Sequence, residues 1–484
     1  MGIVRRAKIV CTLGPATDTP ERLRELVDAG MDVARFNLSH GTHDEHDKRL
    51  DWVRTAAAEA GRNVGVLADL QGPKIRLGTF TEGSAVIEPG EPFTITTEDI
   101  SGDAERVSTT HTGLPDDVEP GDTILIDDGQ LSLRVEEVSG PDVRTTVVVG
   151  GRVSNNKGLN LPGAAVSVPA MSDKDADDLR WALQAGADMI ALSFVRSGED
   201  VKGAHGIMDE VGIRVPLIAK VEKPQAVLRL QEITDAFDGV MVARGDLGVE
   251  LDLWDVPLVQ KQAVEIARRR AKPVIVATQM LESMISSARP TRAEASDVAN
   301  AVLDGTDAVM LSGETSVGAH PIETVTTMGS IVETVEEHGL ERIPPLGTQP
   351  HTTGGVITRA AAETAELLEA KFLVAFTQSG DSARRMSRLR GTTPLLAFSP
   401  LAAVRHQLAL VWGIEAHRAE YVEHTDEMVK QVDRLLSVDG RCRQGDLVVI
   451  VAGSPPGIPG STNAMRVHRI GDAVAGVAPA YRSD

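Results

Sequence analysis

The stretch Pro216-Leu217-Ile218-Ala219-Lys220-Val221-Glu222 decides how the chain is interpreted, because an apolar run ends in two charges. In a strand, Lys220 and Glu222 face the same side, since side chains alternate with a period of two. Burying both charges is unfavourable unless they are paired or bind a ligand. A plain salt bridge between them is the simpler alternative. The apolar flanks favour a buried strand end that belongs to a site.

A second stretch has the same form and reads Gly239-Val240-Met241-Val242-Ala243-Arg244-Gly245-Asp246-Leu247-Gly248. Its glycines suit a close approach of the backbone to a ligand. If the two stretches are neighbouring parallel strands, Glu222 and Asp246 lie side by side at the strand ends. Two carboxylates beside a lysine suit a divalent metal and a phosphoryl group, so we predict a metal and phosphate site here.

The composition narrows the class of protein. A chain of 484 residues is too long for one core and predicts two or three domains. Its net charge of −21 argues against a nucleic-acid or anionic-membrane partner, since both need a basic face. The only cysteines, Cys11 and Cys442, lack metal-ligand spacing and indicate a reducing cytoplasm. We find no signal peptide and no segment that is apolar for long enough to span a bilayer.

Strand-like apolar runs alternate with helix-length segments such as Pro20–Ala29 and His43–Ala60. Eight such runs with helical crossovers predict a parallel (β/α)8 TIM barrel, and an open doubly wound sheet is the alternative. The runs are Lys8–Leu13, Asp32–Leu38, Val64–Leu70, Met189–Phe194, Pro216–Glu222, Gly239–Asp246, Pro273–Gln279 and Ala308–Gly313.

Polar side chains follow most of these runs, at the strand ends where barrels of this class place their active sites. They are Arg35, Asn37 and Ser39 after the second run, Asp69 after the third, Lys220 and Glu222 after the fifth, Asp246 after the sixth, Thr278 after the seventh, and Ser312 with Glu314 after the eighth.

One interval interrupts the barrel pattern between Asp69 and Met189. It holds alternating segments such as Pro92–Thr97, Thr123–Ile126 and Leu131–Val135, separated by turn residues. We predict a small inserted antiparallel β domain at 74–169, a β-barrel lid that excludes water from the site. The barrel then comprises 1–73 and 170–341.

The last part of the chain, 354–484, alternates helix and strand again and predicts an open α/β domain after a proline- and glycine-containing linker. Its first strand runs into a turn whose small residues and glycine, followed by a helix, suit a phosphate. A capped helix start needs the same residues, so both interpretations stay open on this stretch alone. The residues concerned are Thr377, Ser379, Gly380 and Ser382.

Taken together, the motifs resemble those of one family, the pyruvate kinases, in the same order along essentially the whole chain. Each motif alone is moderately specific, and the set is highly specific. The matching stretches are Ile9–Pro15, Arg35–Gly41, Lys157–Gly163, Ala219–Glu222, Ala243–Gly248, Ala277–Met284, Arg289–Glu294 and Ser312–Thr315.

This resemblance implies phosphoryl transfer from phosphoenolpyruvate to ADP, giving pyruvate and ATP in glycolysis, by a cytoplasmic enzyme that is usually a homotetramer. It implies Glu222 and Asp246 as ligands of Mg²⁺ or Mn²⁺, which stabilises the enolate of pyruvate. Lys220 and Arg35 then face the phosphoryl group, where fixed cations stabilise a transition state that spreads negative charge. Gly245 and Asp246 amides and the Thr278 hydroxyl hold the carboxylate, and Thr278 belongs to the proton relay.

The resemblance also implies nucleotide-binding positions at Asn37, His40, Arg76 and Lys157. Taken by itself, Lys157 reads better as an ordinary hinge lysine. At 69–76 the chain departs from many members of the family, which carry a glutamate where it has Lys74. In those members a K⁺ ion binds groups matching Asn37, Ser39 and Asp69. An ammonium is close to K⁺ in size and charge, so we expect Lys74 to fill that pocket and K⁺ to be unnecessary.

The turn from Thr377 to Ser382 resembles the effector pocket of the family. Gln378 and Asp381 stand where several relatives place basic residues, which disfavours a doubly phosphorylated sugar. We expect a sugar or nucleotide monophosphate as activator.

Two other functions compete. A divalent-metal-dependent pyruvate-enolate lyase or aldolase would not depend on ADP. A degenerate metabolite sensor would have lost Lys220, Glu222, Asp246 or Thr278, and all four are present.

Overall fold

The computed structural model describes residues 5–163, 169–456, 458 and 460–475. The chain begins with three strands and two helices of a barrel. Helix α1 starts at Thr19, whose side chain caps the amide of Arg22, and Pro20 takes the first helical position, where no donor is needed. The elements are β1 (Lys8–Thr12), α1 (Pro20–Ala29), β2 (Val33–Asn37), α2 (His43–Glu59) and β3 (Gly65–Asp69).

An inserted, mainly antiparallel β region follows β3. Strands pair in a six-stranded sheet of order β11-β7-β8-β9-β5-β6 and a two-stranded ladder of β10 with β4, around one apolar cluster. Gly90, Gly121 and Gly129 have positive φ angles at the predicted turns, which favours glycine there. The elements are β4 (Ser84–Ile87), β5 (Pro92–Thr96), β6 (Arg106–Ser108), α3 (Leu114–Asp117), β7 (Thr123–Ile126), β8 (Leu131–Ser139), β9 (Asp142–Val149), β10 (Gly151–Ser154) and β11 (Leu159–Asn160).

The barrel resumes with five strands and nine helices. Helix α10 opens with a capping box in which Thr291 and Glu294 exchange hydrogen bonds, so this glutamate is paired. The elements are α4 (Asp173–Ala185), β12 (Met189–Leu192), α5 (Val201–Val211), β13 (Leu217–Val221), α6 (Pro224–Leu228), α7 (Leu230–Ala236), β14 (Gly239–Ala243), α8 (Arg244–Glu250), α9 (Val256–Arg269), β15 (Val274–Ala277), α10 (Arg292–Asp304), β16 (Ala308–Leu311), α11 (Gly313–Ser316) and α12 (Pro321–Gly339).

Eight parallel strands close this barrel in the order β1-β16-β15-β14-β13-β12-β3-β2. All eight predicted runs are strands, and β13 pairs with β14 so that Lys220 lies opposite Met241. The interior is apolar, and Leu410 from the C-terminal region belongs to the same buried cluster. The C-terminal region therefore packs against one end of the barrel, and the functional side chains lie at the other.

The C-terminal region is an open sheet of order β19-β18-β17-β20-β21, parallel except for the edge strand β21. Its elements are α13 (Thr353–Leu367), β17 (Phe372–Phe376), α14 (Asp381–Ser387), β18 (Leu395–Ser399), α15 (Ala402–Leu408), β19 (Ile414–Arg418), α16 (Thr425–Val438), β20 (Leu447–Gly453), β21 (Thr462–Arg469) and α17 (Asp472–Ala475).

The predicted fold class is confirmed: a closed (β/α)8 barrel, an inserted β region and a C-terminal α/β region. The residue numbers given for the domain boundaries stay predictions, and 1–4, 164–168 and 476–484 lie outside the described residues. Within the part of the chain that the structure describes, no helix combines the length and the apolar character that a membrane crossing requires.

Candidate active site

Lys220 is the centre of a buried polar cluster at the carboxyl ends of the barrel strands. It is the penultimate residue of β13, and its side chain is 11 % exposed. Its Nζ lies 2.9 Å from Oε1 of Glu222 and 3.3 Å from Oδ1 of Asp69, and donates a hydrogen bond of 2.7 Å to Oγ of Ser193. Lys220 and Glu222 therefore face the same side, as predicted. The ammonium links β13 to β3 and to the end of β12.

Arg35 lies on β2, which pairs with β3, and faces the same cluster. Its Nε donates to Oδ2 of Asp69 over 2.6 Å, and one terminal nitrogen donates to Oγ1 of Thr12 over 2.9 Å. Asp69 is buried, and its carboxylate pairs with two cations, Arg35 and Lys220. This arrangement fixes the guanidinium and the ammonium relative to each other before any ligand binds.

The protonation of the cluster follows from burial and pairing. Burial opposes the charged form of Lys220, but the carboxylates of Asp69 and Glu222 outweigh it and raise the pKa of the lysine. Burial likewise works to raise the pKa of Asp69, and Lys220 and Arg35 reverse it, so that pKa lies below its usual value. Lys220 and Asp69 are therefore both charged at neutral pH.

Glu222 follows β13 directly and is 1 % exposed. Its Oε2 accepts a hydrogen bond of 2.8 Å from the amide of Phe194. Burial raises the pKa of Glu222; Lys220 opposes that rise, and the nearby carboxylate of Asp246 adds to it. Two carboxylates that repel each other in a partly dry cleft form a site whose charge a divalent cation would balance.

The donor set fits a magnesium-type ion that takes its remaining ligands from substrate and water. Among the described residues there is no cluster of three or more histidine, cysteine or carboxylate side chains that could hold a metal. Mg²⁺ is commonly bound by one or two carboxylates plus substrate phosphates, so Glu222 and Asp246 suffice.

Thr278 follows β15 in a conformation that is unusual for a β-branched residue, with φ of +69°. Its Oγ1 donates to the carbonyl of Ala277 and accepts the amide of Gly245, both over 2.6 Å. Arg244 holds the turn by donating to the carbonyl of Thr278 over 2.7 Å, and Asp297 fixes Arg244 in an ion pair of 2.7 Å. The hydroxyl therefore sits beside the first turn of α8, which carries Asp246.

A cleft lies between the inserted β region and the barrel, and Asp246 lines it together with residues of both regions. On the barrel side Glu250, at the end of α8, is buried and accepts from Lys223 over 2.5 Å. On the inserted side Asn160 donates to the same carboxylate over 2.9 Å. Glu250 thus joins the inserted region to the helix that carries Asp246.

The predicted nucleotide positions fall in two places. Arg76 and Lys157 lie on the inserted region, where Arg76 donates to the carbonyl of Asn156 over 3.0 Å and Lys157 pairs with Asp127 over 2.8 Å. Asn37 and His40 lie at the end of β2 and in the turn after it, with His40 exposed. Within the described residues no hydrogen bond joins the two pairs.

Lys74 lines the cleft between the inserted region and the barrel, together with Asp246. Its side chain lies over Gly158, where an added Cβ would come within 3.7 Å of Nζ. In the described part of the chain it makes no hydrogen bond to Asn37, Ser39 or Asp69. Asn37 instead accepts the amide of Ser39 over 3.2 Å.

Three of the four predicted effector residues, Thr377, Ser379 and Ser382, line a C-terminal pocket beside β20 and β21, and Gly380 lies in the same turn. Thr377 accepts the amide of Gly380 over 2.9 Å, Ser379 accepts that of Asp381, and Ser382 bonds to Thr462. The pocket has about 540 Å³ of space and is lined by hydroxyl groups as well as by Asp381 and Glu420. These hydroxyls serve the turn itself as well as the pocket.

Sequence reasoning missed several residues of the site, among them Thr12, Ser193, Lys223, Arg244 and Glu250. Thr12 and Ser193 stand at or after the ends of β1 and β12, so the strand-end rule that identified Asp69 would have found them. Glu314 has a different role from the one its position suggested. It accepts the amides of Leu281 and Ser312 and joins two loops.

Comparisons with known proteins agree with this geometry along the whole chain. The family model described as pyruvate kinase, barrel domain, matches residues 4–325, and the one described as pyruvate kinase, alpha/beta domain, matches residues 356–468.

Individual relatives match over nearly their full length. A pyruvate kinase of Corynebacterium glutamicum is 58 % identical over 97 % of this chain and 98 % of that protein. One from Mycobacterium tuberculosis is 57 % identical over 97 % of this chain and 99 % of its own length. A crystal structure of a pyruvate kinase from Cryptosporidium parvum superimposes with a TM-score of 0.90 at 35 % identity, covering 96 % of each chain. These matches do not favour the lyase alternative.

Proposed function

The chain belongs to the pyruvate kinase family, and from this premise we propose which of its residues carry out the reaction. The enzyme transfers a phosphoryl group from phosphoenolpyruvate to ADP, giving pyruvate and ATP. Members of the family generally need a divalent metal such as Mg²⁺. The observation that carries our assignment is the buried ammonium of Lys220, held between Asp69 and Glu222 at the barrel mouth.

Lys220 and Arg35 are the cations that face the phosphoryl group. The group in transfer spreads negative charge over its three equatorial oxygens, so donors that are already fixed stabilise it without reorganisation. Asp69 holds both cations in place. Arg35 contributes a planar, multi-donor group suited to phosphate, and Lys220 a compact charge.

Glu222 and Asp246 are the carboxylates that would hold Mg²⁺ or Mn²⁺. When bound, the metal supplies charge neutralisation for the phosphoryl oxygens and for the enolate of pyruvate. The amide of Phe194 orients Glu222, and the first turn of α8 orients Asp246.

Gly245, Asp246 and Thr278 hold the carboxylate of pyruvate in our assignment. The amide of Gly245 now donates to Thr278, so carboxylate binding requires this amide to exchange its acceptor. The enolate left by transfer is protonated on carbon. A threonine hydroxyl is a weak acid, so Thr278 positions the water that delivers this proton.

ADP lies in the cleft between the inserted region and the barrel, with Arg76 and Lys157 on one side and Asn37 and His40 on the other. Arg76 and Lys157 belong to the inserted region, so they approach the barrel only when that region closes. Closure also excludes water from the transfer.

The reaction proceeds without K⁺ in our proposal, because the ammonium of Lys74 serves in its place once the inserted region closes. Turnover in tetramethylammonium buffer should equal turnover after KCl is added. The substitution Lys74→Glu should create a dependence on K⁺. A many-fold response of the unmodified enzyme to KCl, but not to an equal concentration of tetramethylammonium chloride, would disprove this role.

Regulation and assembly extend the proposal. A sugar or nucleotide monophosphate activates the enzyme from the pocket lined by Thr377, Ser379 and Ser382, with Gly380 in the same turn, and the enzyme is a cytoplasmic homotetramer. Thermal-shift and kinetic titrations with such ligands test the first point, and sedimentation tests the second.

The metal assignment has a direct test that does not need turnover. Mn²⁺ binding to the enzyme, followed by electron paramagnetic resonance, should weaken at least tenfold in Glu222→Gln and in Asp246→Asn, in line with the effects seen when metal-site groups are lost. Glu282→Gln, which changes a carboxyl group outside this pair, is the matched control. Unchanged Mn²⁺ affinity in both site variants would contradict the assignment of Glu222 and Asp246 as metal ligands.

A further inference from the structure

A second group of cations lies between the barrel and the C-terminal region, far in sequence from the catalytic residues. A small cavity of about 180 Å³ is lined by Arg268, Lys272, Arg384, Arg388 and Arg390, together with one carboxylate, Asp307. Arg268 belongs to α9 of the barrel, and Arg384 belongs to α14 of the C-terminal region. In a chain with a net charge of −21, such a concentration of positive charge requires an explanation.

Two of these cations are fully used within the protein. Arg390 donates to the carbonyl oxygens of Gly305 and Ser387 and pairs with Asp307 over 3.0 Å. Lys272 gives its three hydrogens to the carbonyls of Thr234, Asp235 and Phe237, which end helix α7. Both residues have structural roles that do not call for a ligand.

The carboxylate of the cavity is also fully used. Oδ2 of Asp307 accepts the amide of Val274 over 3.1 Å in addition to Arg390, and Oδ1 accepts the amide of Trp412 over 3.0 Å. Asp307 therefore forms its ion pair with Arg390, and among the described residues no carboxylate forms an ion pair with Arg268, Arg384 or Arg388.

The remaining arginines have donors to spare. Arg268 is 4 % exposed, yet its buried Nε has no acceptor among the described residues, and the same holds for Nε of Arg388. The guanidinium of Arg384 forms neither a hydrogen bond nor an ion pair within the described part of the chain. Asp381 and Asp238 act on it electrostatically, but Asp381 pairs with Arg385 and Asp238 accepts the amide of Leu217.

The pKa shifts of these arginines agree with the shortage of acceptors for their donors. Burial, with a smaller contribution from the neighbouring Arg390, lowers the pKa of Arg268 to about 10, although Asp307 and Glu265 oppose this fall. Burial also lowers the pKa of Arg384 and of Arg388. A buried cation without a partner is unfavourable, and a bound anion would remove this penalty.

We propose that this cavity binds a tetrahedral oxyanion, as inorganic phosphate or as the phosphate group of a small metabolite, held by Arg384, Arg388 and Arg268. The cavity opens to solvent, and guanidinium forks match the oxygens of such an anion. The site is separate from the catalytic mouth and from the C-terminal pocket. Because its ligands come from α9 and α14, an occupied site joins the barrel to the C-terminal region.

The test is the thermal unfolding of the full-length enzyme with sodium phosphate, against sodium chloride of equal ionic strength. Phosphate at high saturation should raise the midpoint by about 2 to 4 °C. Arg384→Gln should lose this rise. In phosphate-free buffer the same variant should unfold at an unchanged or higher temperature, because it removes an unpaired cation. A merely structural arginine would instead cost stability in both buffers.

Two matched variants locate the effect. Arg385→Gln changes the next residue, whose side chain pairs with Asp381, and should keep the response to phosphate. Ser379→Asp adds a carboxylate to the C-terminal pocket and should keep it as well. A phosphate response that persists in Arg384→Gln, or none in the unmodified enzyme with either inorganic phosphate or a hexose monophosphate, would overturn the proposal. Whichever of the two ligands loses more of its effect in Arg384→Gln identifies the occupant.

Discussion

The barrel mouth and the junction with the C-terminal region both collect buried cations, but they differ in what those cations face. At the mouth, Lys220 and Arg35 share Asp69, and Glu222 completes the set. At the junction, the one carboxylate that lines the cavity, Asp307, forms its ion pair with Arg390. Pairing raises the pKa of Lys220 despite its burial, whereas burial lowers the pKa of Arg268 and Arg384.

The two sites differ in whether the protein itself supplies the carboxylates that pair with the buried cations. At the mouth the protein supplies the anions, so the cations are fixed and charged before substrate arrives. At the junction the cavity is lined by five cations and one carboxylate, and the buried Nε atoms of Arg268 and Arg388 that lack an acceptor among the described residues mark where we propose that an anion binds. Four substitutions test this contrast between the two sites.

Lys220→Gln removes the fixed charge at the mouth and should have the largest effect. We expect kcat/KM for phosphoenolpyruvate to fall by about 10²- to 10³-fold, the usual loss when one donor to a developing negative charge is removed. Steady-state pyruvate formation with ADP and Mg²⁺ measures it. Lys202→Gln, which changes an exposed lysine, is the control. A loss of less than threefold would contradict the catalytic role.

Asp307→Asn removes the one carboxylate at the junction and leaves Arg390 buried without a counter-ion. We expect a loss of about 3 kcal/mol in the free energy of unfolding, measured by urea denaturation. Asp235→Asn breaks the half-exposed pair with Arg270 and should cost less than about 1 kcal/mol. Equal effects of the two variants would show that Asp307 does not balance a buried charge.

Asn160→Ala tests the contact between the inserted region and Glu250 of the barrel. Hydrogen bonds to buried charged groups contribute about 1.5 to 3 kcal/mol, but Lys223 still pairs with Glu250 in this variant. We therefore expect kcat/KM for ADP to fall by about tenfold or less. Asn300→Ala, at an exposed position, should leave this value unchanged. No change in Asn160→Ala would mean that the contact does not guide closure.

Glu415→Gln should have the smallest effect. Glu415 bonds to His417 and to Arg441, and although burial opposes this, both partners lower its pKa to about 2. A lowered pKa stabilises the folded protein above the unfolded value of about 4.3 and ceases to do so as the pH falls through about 2.

The side chain of Glu415 is 41 % exposed, so solvent screens the pair and we expect less than about 1 kcal/mol at pH 7. Urea unfolding of both proteins should show a difference that is steady down to about pH 5 and shrinks below it. A difference that grows on acidification would reverse the sign and contradict the assignment.

The barrel was predictable from sequence because its strands are buried on both faces and are therefore continuous apolar runs. Runs such as Pro216–Glu222 end in charge, and parallel strands bring all such ends to one rim. Lys220, Glu222 and Asp69 were found in this way. The edge strands β19 and β21 were not, since each mixes apolar with charged residues and lacks a continuous apolar run.

Local sequence by itself determined which segments become strands and helices and which charges stand at strand ends, because periodicity and capping act over a few residues. Only the tertiary structure decided which charges meet. Asp69 reaches Lys220 across 151 positions of sequence, and Arg268 approaches Arg388 across 120. Pairing depends on the closure of the barrel and the docking of the C-terminal region, and no local pattern encodes which buried donors are left without an acceptor.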